Sequence, residues 1–205
     1  MVQLHAHLAE LPLSRATVDV DSTLHLETHA VTFADAAARL QCCGFVLDTD
    51  TRFAYRFDRG LERVDLMCSD RHAAWKMPRH GGRPLFGIPG GTRALQQTID
   101  LDMLTDDGER CLVIPTLRGA LVLKSAALVE DSRSASRHAD DLVLLLACAI
   151  DTADVVHGLS RRSRRRLRNM VRRLRGDNSP WASHGSLVQS LARESLEELA
   201  LTLGL

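Results

Sequence analysis

The sequence predicts an α/β fold, with a small mixed sheet in the first part of the chain and a helical bundle in the second. Three observations carry this. Short alternating apolar segments, punctuated by Gly, Pro and Asp, fill the stretch up to about residue 114. From Pro115 onward the apolar residues recur at helical spacing. The hydrophobic content of 45% is that of a globular chain, while aromatics at 4% leave Leu, Val and Ala to build the core.

In order along the chain, residues 1–10 read as the end of a helix and 16–26 as a strand. Residues 33–43 read as a helix stopped by Gly44, and Phe45–Leu47 as a short strand. Phe53, Tyr55 and Phe57 alternate with Ala54 and Arg56 as a half-buried strand. Arg59-Gly60 turns the chain into a further strand over 61–68. Residues 70–92 read as loops, and Pro89-Gly-Gly91 as turn chemistry. Strands at 98–104 and 110–114 flank Asp106-Asp-Gly-Glu109 as a hairpin, with Asp100 and Asp102 on its wet face. Pro115 opens a helix to about Val129. Further helices follow over 133–149, 160–175 and 185–203, the last two separated by Gly176-Asp-Asn-Ser-Pro180. The predicted domains are 1–114 and 115–205.

The longest apolar run, Leu142 to Ile150, is too short to span a bilayer and reads as a buried helix. The opening residues lack the basic segment and apolar core of a secretory leader, so the expected location is the cytoplasm, away from membranes. Cys42, Cys43, Cys68, Cys111 and Cys148 show no zinc-type spacing and are expected as buried, reduced thiols. A net charge of zero conceals an asymmetry. Residues 161–175 hold nine Arg and no acid, which leaves 17 basic against 26 acidic residues elsewhere. Such a helix either presents a solvated face or meets an anion, and nucleic-acid phosphate or an acidic protein would satisfy it.

Asp19 and Asp21 stand two apart among Thr17, Val18 and Val20. On a strand they share a face, with Val18 and Val20 turned to the core. Two adjacent carboxylates repel each other unless a cation lies between them, and a hard divalent ion suits them. Asp65, between Val64 and Leu66, could supply a third carboxylate from a neighbouring strand. Each acid also reads as a solvated residue on an exposed strand face. Lys124 projects from an apolar stripe formed by Leu117, Ala120, Leu121, Ala127 and Leu128, so its ammonium either snorkels to water or enters a cleft. Arg137 and Asp141 are spaced for an intrahelical ion pair.

The ordered set Arg15-Ala-Thr-Val-Asp-Val-Asp21, Asp65, Leu123-Lys-Ser-Ala-Ala127 and Arg137-His-Ala-Asp-Asp-Leu142 resembles the nucleotidyltransferase fold, in particular the AbiEii-type toxin nucleotidyltransferases of toxin–antitoxin and phage-defence systems. The resemblance covers residues 1–150 or so. It implies transfer of a nucleotide from a nucleoside triphosphate to an acceptor hydroxyl, which in some relatives belongs to RNA or tRNA. Asp19, Asp21 and Asp65 would hold Mg²⁺ or Mn²⁺, Asp65 bridging or acting as base. Thr17, Lys124 and Arg133 would contact the nucleotide, and Asp141 would position Lys124, with Asp140 the weaker candidate. The Arg161–Arg175 helix would take RNA or an acidic antitoxin. The family's Gly-Gly or Gly-Ser pair ahead of the Asp-x-Asp strand has no counterpart in residues 1–15. That absence also fits an alternative: a catalytically degenerate relative that binds RNA or a protein partner.

Overall fold

The structure, a computed structural model, describes residues 1–12, 19–28, 30–70, 77–132 and 134–205, with the backbone alone for Asp19 and Glu27. It is a mixed α/β protein whose N-terminal mixed sheet is followed by a C-terminal helical bundle. In chain order, α1 (Val2–Leu8) is followed by β1 (Asp19–Leu24), α2 (Phe33–Cys42), β2 (Val46–Leu47), β3 (Arg56–Arg59) and β4 (Glu62–Ser69). Next come β5 (Arg79–His80), β6 (Arg83–Pro84), β7 (Gly87–Ile88) and α3 (Gly91–Leu95). The hairpin of β8 (Thr98–Thr105) and β9 (Gly108–Pro115) leads to α4 (Leu117–Glu130), α5 (Ala135–Ala147), α6 (Thr152–Val156), α7 (Arg161–Gly176) and α8 (Ser186–Leu203). Two compact units result: Arg15–Leu95, and Met1–Ser14 together with Gln96–Leu205.

In the Arg15–Leu95 unit the strand order is β1-β4-β3-β2, with β7 pairing the end of β4. β1 runs parallel to β4, and β3 is antiparallel to both β4 and β2. Gly60 at φ +60° occupies the first position of the two-residue β3–β4 turn, where a left-handed backbone suits glycine. The apolar face carries Phe57, Leu66 and Cys68 against Phe33 and Ala37 of α2. Thr32 and Asp35 cap α2 reciprocally, side chain to backbone, which satisfies two donors of its first turn.

Several expectations change here. Val20 is 61% exposed rather than in the core, because β1 is an edge strand and α2 covers its neighbours instead. Ala54 is fully buried where Phe53 and Tyr55 are half-buried, since Ala54 bridges to Leu85 and the flanking rings pack on Phe86, Phe53 edgewise and Tyr55 tilted. The stretch expected as loop contains β5, β6, β7 and α3. Cys42, Cys43 and Cys111 are exposed; only Cys68 and Cys148 are buried thiols.

In the other unit, α5 is the central helix. Leu142 through Leu146 are all buried, so its wall is apolar on nearly every side. α4, with Leu121 and Leu128, and α8, with Leu196, Leu199 and Leu203, pack on it, and α7 adds Leu167, Met170 and Leu174 to the same core by packing on α4 and α8. Each such side chain contributes roughly 1.5–3 kcal/mol on burial. Trp181, in a 3-10 turn Ser179–Trp181, closes the base and donates its indole N–H to the carbonyls of Leu174 (3.2 Å) and Asp177 (3.1 Å). Pro115 ends β9 instead of opening α4, because Thr116 takes the cap position and accepts from the Gly119 N–H. His5 of α1 is buried and holds the Pro115 carbonyl through Nε2 at 2.9 Å. Among the described residues, no helix is long and apolar enough to cross a membrane.

Candidate functional site

The β1–β4 ladder pairs Asp19 with Arg63 and Asp21 with Asp65. Paired residues of neighbouring strands share a face, so Asp21 and Asp65 stand side by side on the face opposite the α2 packing. The antiparallel β3–β4 register adds Arg56 opposite Asp65 and Asp58 opposite Arg63. The result is a polar face built by strand register, in which one row sets the carboxylates Asp21 and Asp65 next to each other with Arg56 beyond them.

Asp65 is only 8% exposed. Arg56 grips it with a two-pronged fork, Nε to Oδ1 and Nη2 to Oδ2, each at 2.9 Å. This is the strong, planar form of the Arg–carboxylate pair. The carboxylate raises the Arg56 pKa further above its already high value, against the smaller opposing effect of burial. The Arg56 guanidinium also lies 5.1 Å from the Tyr55 ring centre. Burial, followed by smaller charge effects, pushes the Tyr55 hydroxyl above its usual pKa. Next along the face, Arg63 meets Asp58 at 2.7 Å in a solvent-exposed pair.

At the end of β4, Asp70 fills the glycine turn that precedes α3. Its carboxylate accepts from Gly90 N (2.7 Å), Thr92 N (3.2 Å) and Thr92 Oγ1 (2.9 Å). Burial opposes its ionisation, but these donors outweigh burial and hold its pKa below the usual carboxylate range. A strand and a helix thus flank Pro89-Gly-Gly91, and the turn's N–H groups already serve the protein's own carboxylate. Gly91 admits no side chain, since a Cβ there would come within 2.5 Å of Ile88.

In the helical unit, α4 and α5 bring Lys124 and Asp141 together at 2.7 Å. Their side chains are 17% and 6% exposed, so the pair is largely withdrawn from water. Lys124 therefore does not snorkel; it is met by a carboxylate inside the helix pair. Beside them, His138 Nε2 lies 3.3 Å from Asp131 Oδ2. Burial first, and then the Lys124 charge, hold the His138 pKa below its ordinary value. Its Nδ1 is buried with no hydrogen-bond partner among the described residues. Asp140 turns elsewhere, accepting from Ser183 Oγ at 3.2 Å.

Of the residues singled out in the sequence, Asp21 is set beside Asp65 by strand register, and Lys124 meets Asp141. These pairs belong to different units. Thr17, Arg133 and the side chain of Asp19 lie outside the described residues, as does Arg15. Among the described residues, no group of three or more His, Cys, Asp and Glu is arranged to hold a metal. Two functional candidates were missed, Arg56 and Asp70. Arg56 was within reach of the sequence, because it and Asp65 are equally distant from the Gly60-Leu61 turn. Compared with known proteins, the chain matches no family model, no curated protein and no solved structure.

Proposed function

We propose that the β1–β4 face is a divalent-cation site serving nucleotidyl transfer from a nucleoside triphosphate to an acceptor hydroxyl. The observation behind this reading is the register that sets Asp21 beside Asp65 on one face of a parallel strand pair. The donor chemistry fits Mg²⁺ or Mn²⁺, which take carboxylate oxygens. Asp21 and Asp65 would hold the ion, joined by Asp19 from its strand position. When bound, the ion supplies charge neutralisation at the phosphates and polarises oxygen.

The chain's own residues divide the remaining work. Arg56 fixes Asp65 in one rotamer through its fork. With both oxygens already held by guanidinium N–H, the role assigned to Asp65 is charge and position rather than base. In the transfer, the acceptor oxygen forms a bond to the α-phosphorus and the bond from that phosphorus to pyrophosphate breaks. The hydroxyl proton leaves to solvent. Nucleotide-contacting and positioning roles for Lys124 and Asp141 rest on the resemblance alone; in the structure the two form a pair within their own unit. Roles for Thr17 and Arg133, an RNA or tRNA acceptor, an acidic antitoxin and a toxin activity rest on the resemblance alone.

The test is label transfer from radiolabelled nucleoside triphosphates to total RNA, with Mg²⁺ or Mn²⁺, for wild type and Asp21→Asn. The expected result is transfer by wild type and background counts for the variant, with unchanged thermal unfolding. Equal transfer by both proteins removes the carboxylate site. A second reading, binding without transfer, is favoured by the Arg56 fork, which already neutralises Asp65. It predicts no transfer by wild type with either metal and any of the four nucleotides.

A further inference from the structure

The nine arginines of α7 fall into two groups, and only the structure separates them. Four are built into the fold. Arg166 is buried and reaches Glu130 at 3.2 Å, and Arg175 is paired with Glu197. Arg168 caps the end of α8 by donating twice to the Leu203 carbonyl, at 3.1 and 2.8 Å. Arg173 donates once, to the Leu128 carbonyl of α4, at 3.1 Å. Arg161, Arg162, Arg164, Arg165 and Arg172 are exposed, and their side chains make no hydrogen bond or ion pair with any described residue.

Four of these five crowd the first turns of the helix, which contain no acid. That end carries the positive pole of the helix dipole, where cations are unfavourable. Their mutual repulsion adds to the cost, and nothing described in the fold relieves it. At 3.6 residues per turn, Arg161, Arg165 and Arg172 fall on one stripe, with Arg164 and Arg162 on its two flanks. From Arg161 to Arg172 the stripe is about 17 Å long at 1.5 Å per residue. A stripe of that length can face several phosphates of a duplex backbone at once.

We propose that the Arg161, Arg162, Arg164, Arg165 and Arg172 face of α7 binds the phosphate backbone of a nucleic-acid duplex. The composition of the face selects this occupant. Leu167, Met170, Val171 and Leu174 are all buried, so no apolar residue of α7 lies among the exposed arginines. A protein partner would want an apolar centre with charges at the rim. A single strand would want aromatic platforms for its bases, and α7 carries none. Arginine's planar fork matches phosphate oxygens, and a face made almost wholly of it grips backbone without reading bases. The inference does not depend on the transfer reading, because binding is measured without nucleotide or metal.

The test is fluorescence anisotropy of the full chain with a 20-base-pair duplex, as RNA and as DNA, over a salt series. The comparison is with the variant Arg161→Gln, Arg162→Gln, Arg164→Gln, Arg165→Gln. Wild type should bind with a steep log–log salt slope, and the variant should lose about 3–4 from that slope, roughly 0.9 per phosphate contact. Its melting temperature should hold or rise, since the residues oppose the helix dipole. Arg168→Gln serves as a structural control, with a lower melting temperature and a salt slope near wild type. An unchanged slope in the quadruple variant overturns the proposal. So does tighter binding of the single strand, or of polyglutamate standing in for an acidic protein. The RNA and DNA arms show which duplex is preferred.

Discussion

Two buried carboxylates, one in each unit, are each met by a cation, and the contrast between them is instructive. Asp65 sits on a strand and is held by the Arg56 fork through two parallel bonds. Asp141 sits on a helix and is met by the compact ammonium of Lys124 at 2.7 Å. A guanidinium fork fixes direction as well as distance, whereas an ammonium is a point charge on a flexible stem. Asp65 is therefore fixed in direction by its partner, whereas the Lys124 contact fixes distance alone. The strand pair is also nearer to water, with Arg56 26% exposed at the side chain against 17% for Lys124. Breaking the helical pair should cost more.

The largest effect is expected there. Lys124→Met leaves the Asp141 carboxylate buried without this cation and should lower stability by about 3 kcal/mol. Adding Asp141→Leu should restore most of the loss, because a packed apolar pair replaces a buried ionic one well. Urea unfolding of the two single variants and the double measures the cycle. Additive losses in the double variant would mean that the two residues act independently.

A smaller loss, about 1–3 kcal/mol, is expected for Arg56→Met, which strands Asp65 nearer to solvent. This variant sharpens the comparison in a second way. With the tethered cation gone, a free one should take its place, so millimolar Mn²⁺ should raise the melting temperature of Arg56→Met more than that of wild type. Equal Mn²⁺ shifts would mean that Asp21 and Asp65 do not share an ion.

The smallest effect concerns pH. His138 beside the Lys124–Asp141 pair and His5 under β9 both have folded-state pKa values below the usual 6.5, chiefly through burial. The unfolded chain then takes up these protons first on acidification. Their contribution is complete above about pH 6.5 and is lost as the pH falls below that value. Urea midpoints measured at about pH 7.5 and 5 should decrease toward the acid side, and His138→Gln should flatten the decrease. A midpoint that rises on acidification would reverse the assignment.

Much of the fold was legible in the sequence because it rests on short-range pattern. The β8–β9 hairpin follows from two alternating segments around Asp106-Asp-Gly. The helices α4, α5, α7 and α8 all fall within two residues of the bounds their apolar periodicity sets. The short pairings β5–β6 and β4–β7 were not legible, since two-residue strands carry no periodicity and form only where a longer strand offers an edge. The exposure of Val20 was not legible either. Alternation names the two faces of a strand but not which one a helix will cover.

The candidate site divides in the same way. That Asp21 and Asp65 could come together was written in the Asp-x-Asp spacing and the Val64-Asp65-Leu66 pattern. That Arg56 faces Asp65 follows from counting outward from Gly60-Leu61, because a hairpin turn sets register. The sequence by itself thus determined the elements, their faces and the concentration of arginine in one helix. Tertiary structure alone decided which charges are taken. Arg168 and Arg173 find carbonyls 35 and 45 residues away, and Lys124 finds its carboxylate on another helix. No local pattern encodes such distances. The physical reason is that a helix or strand sets where a side chain points within a few residues, whereas the group it meets depends on how the elements pack.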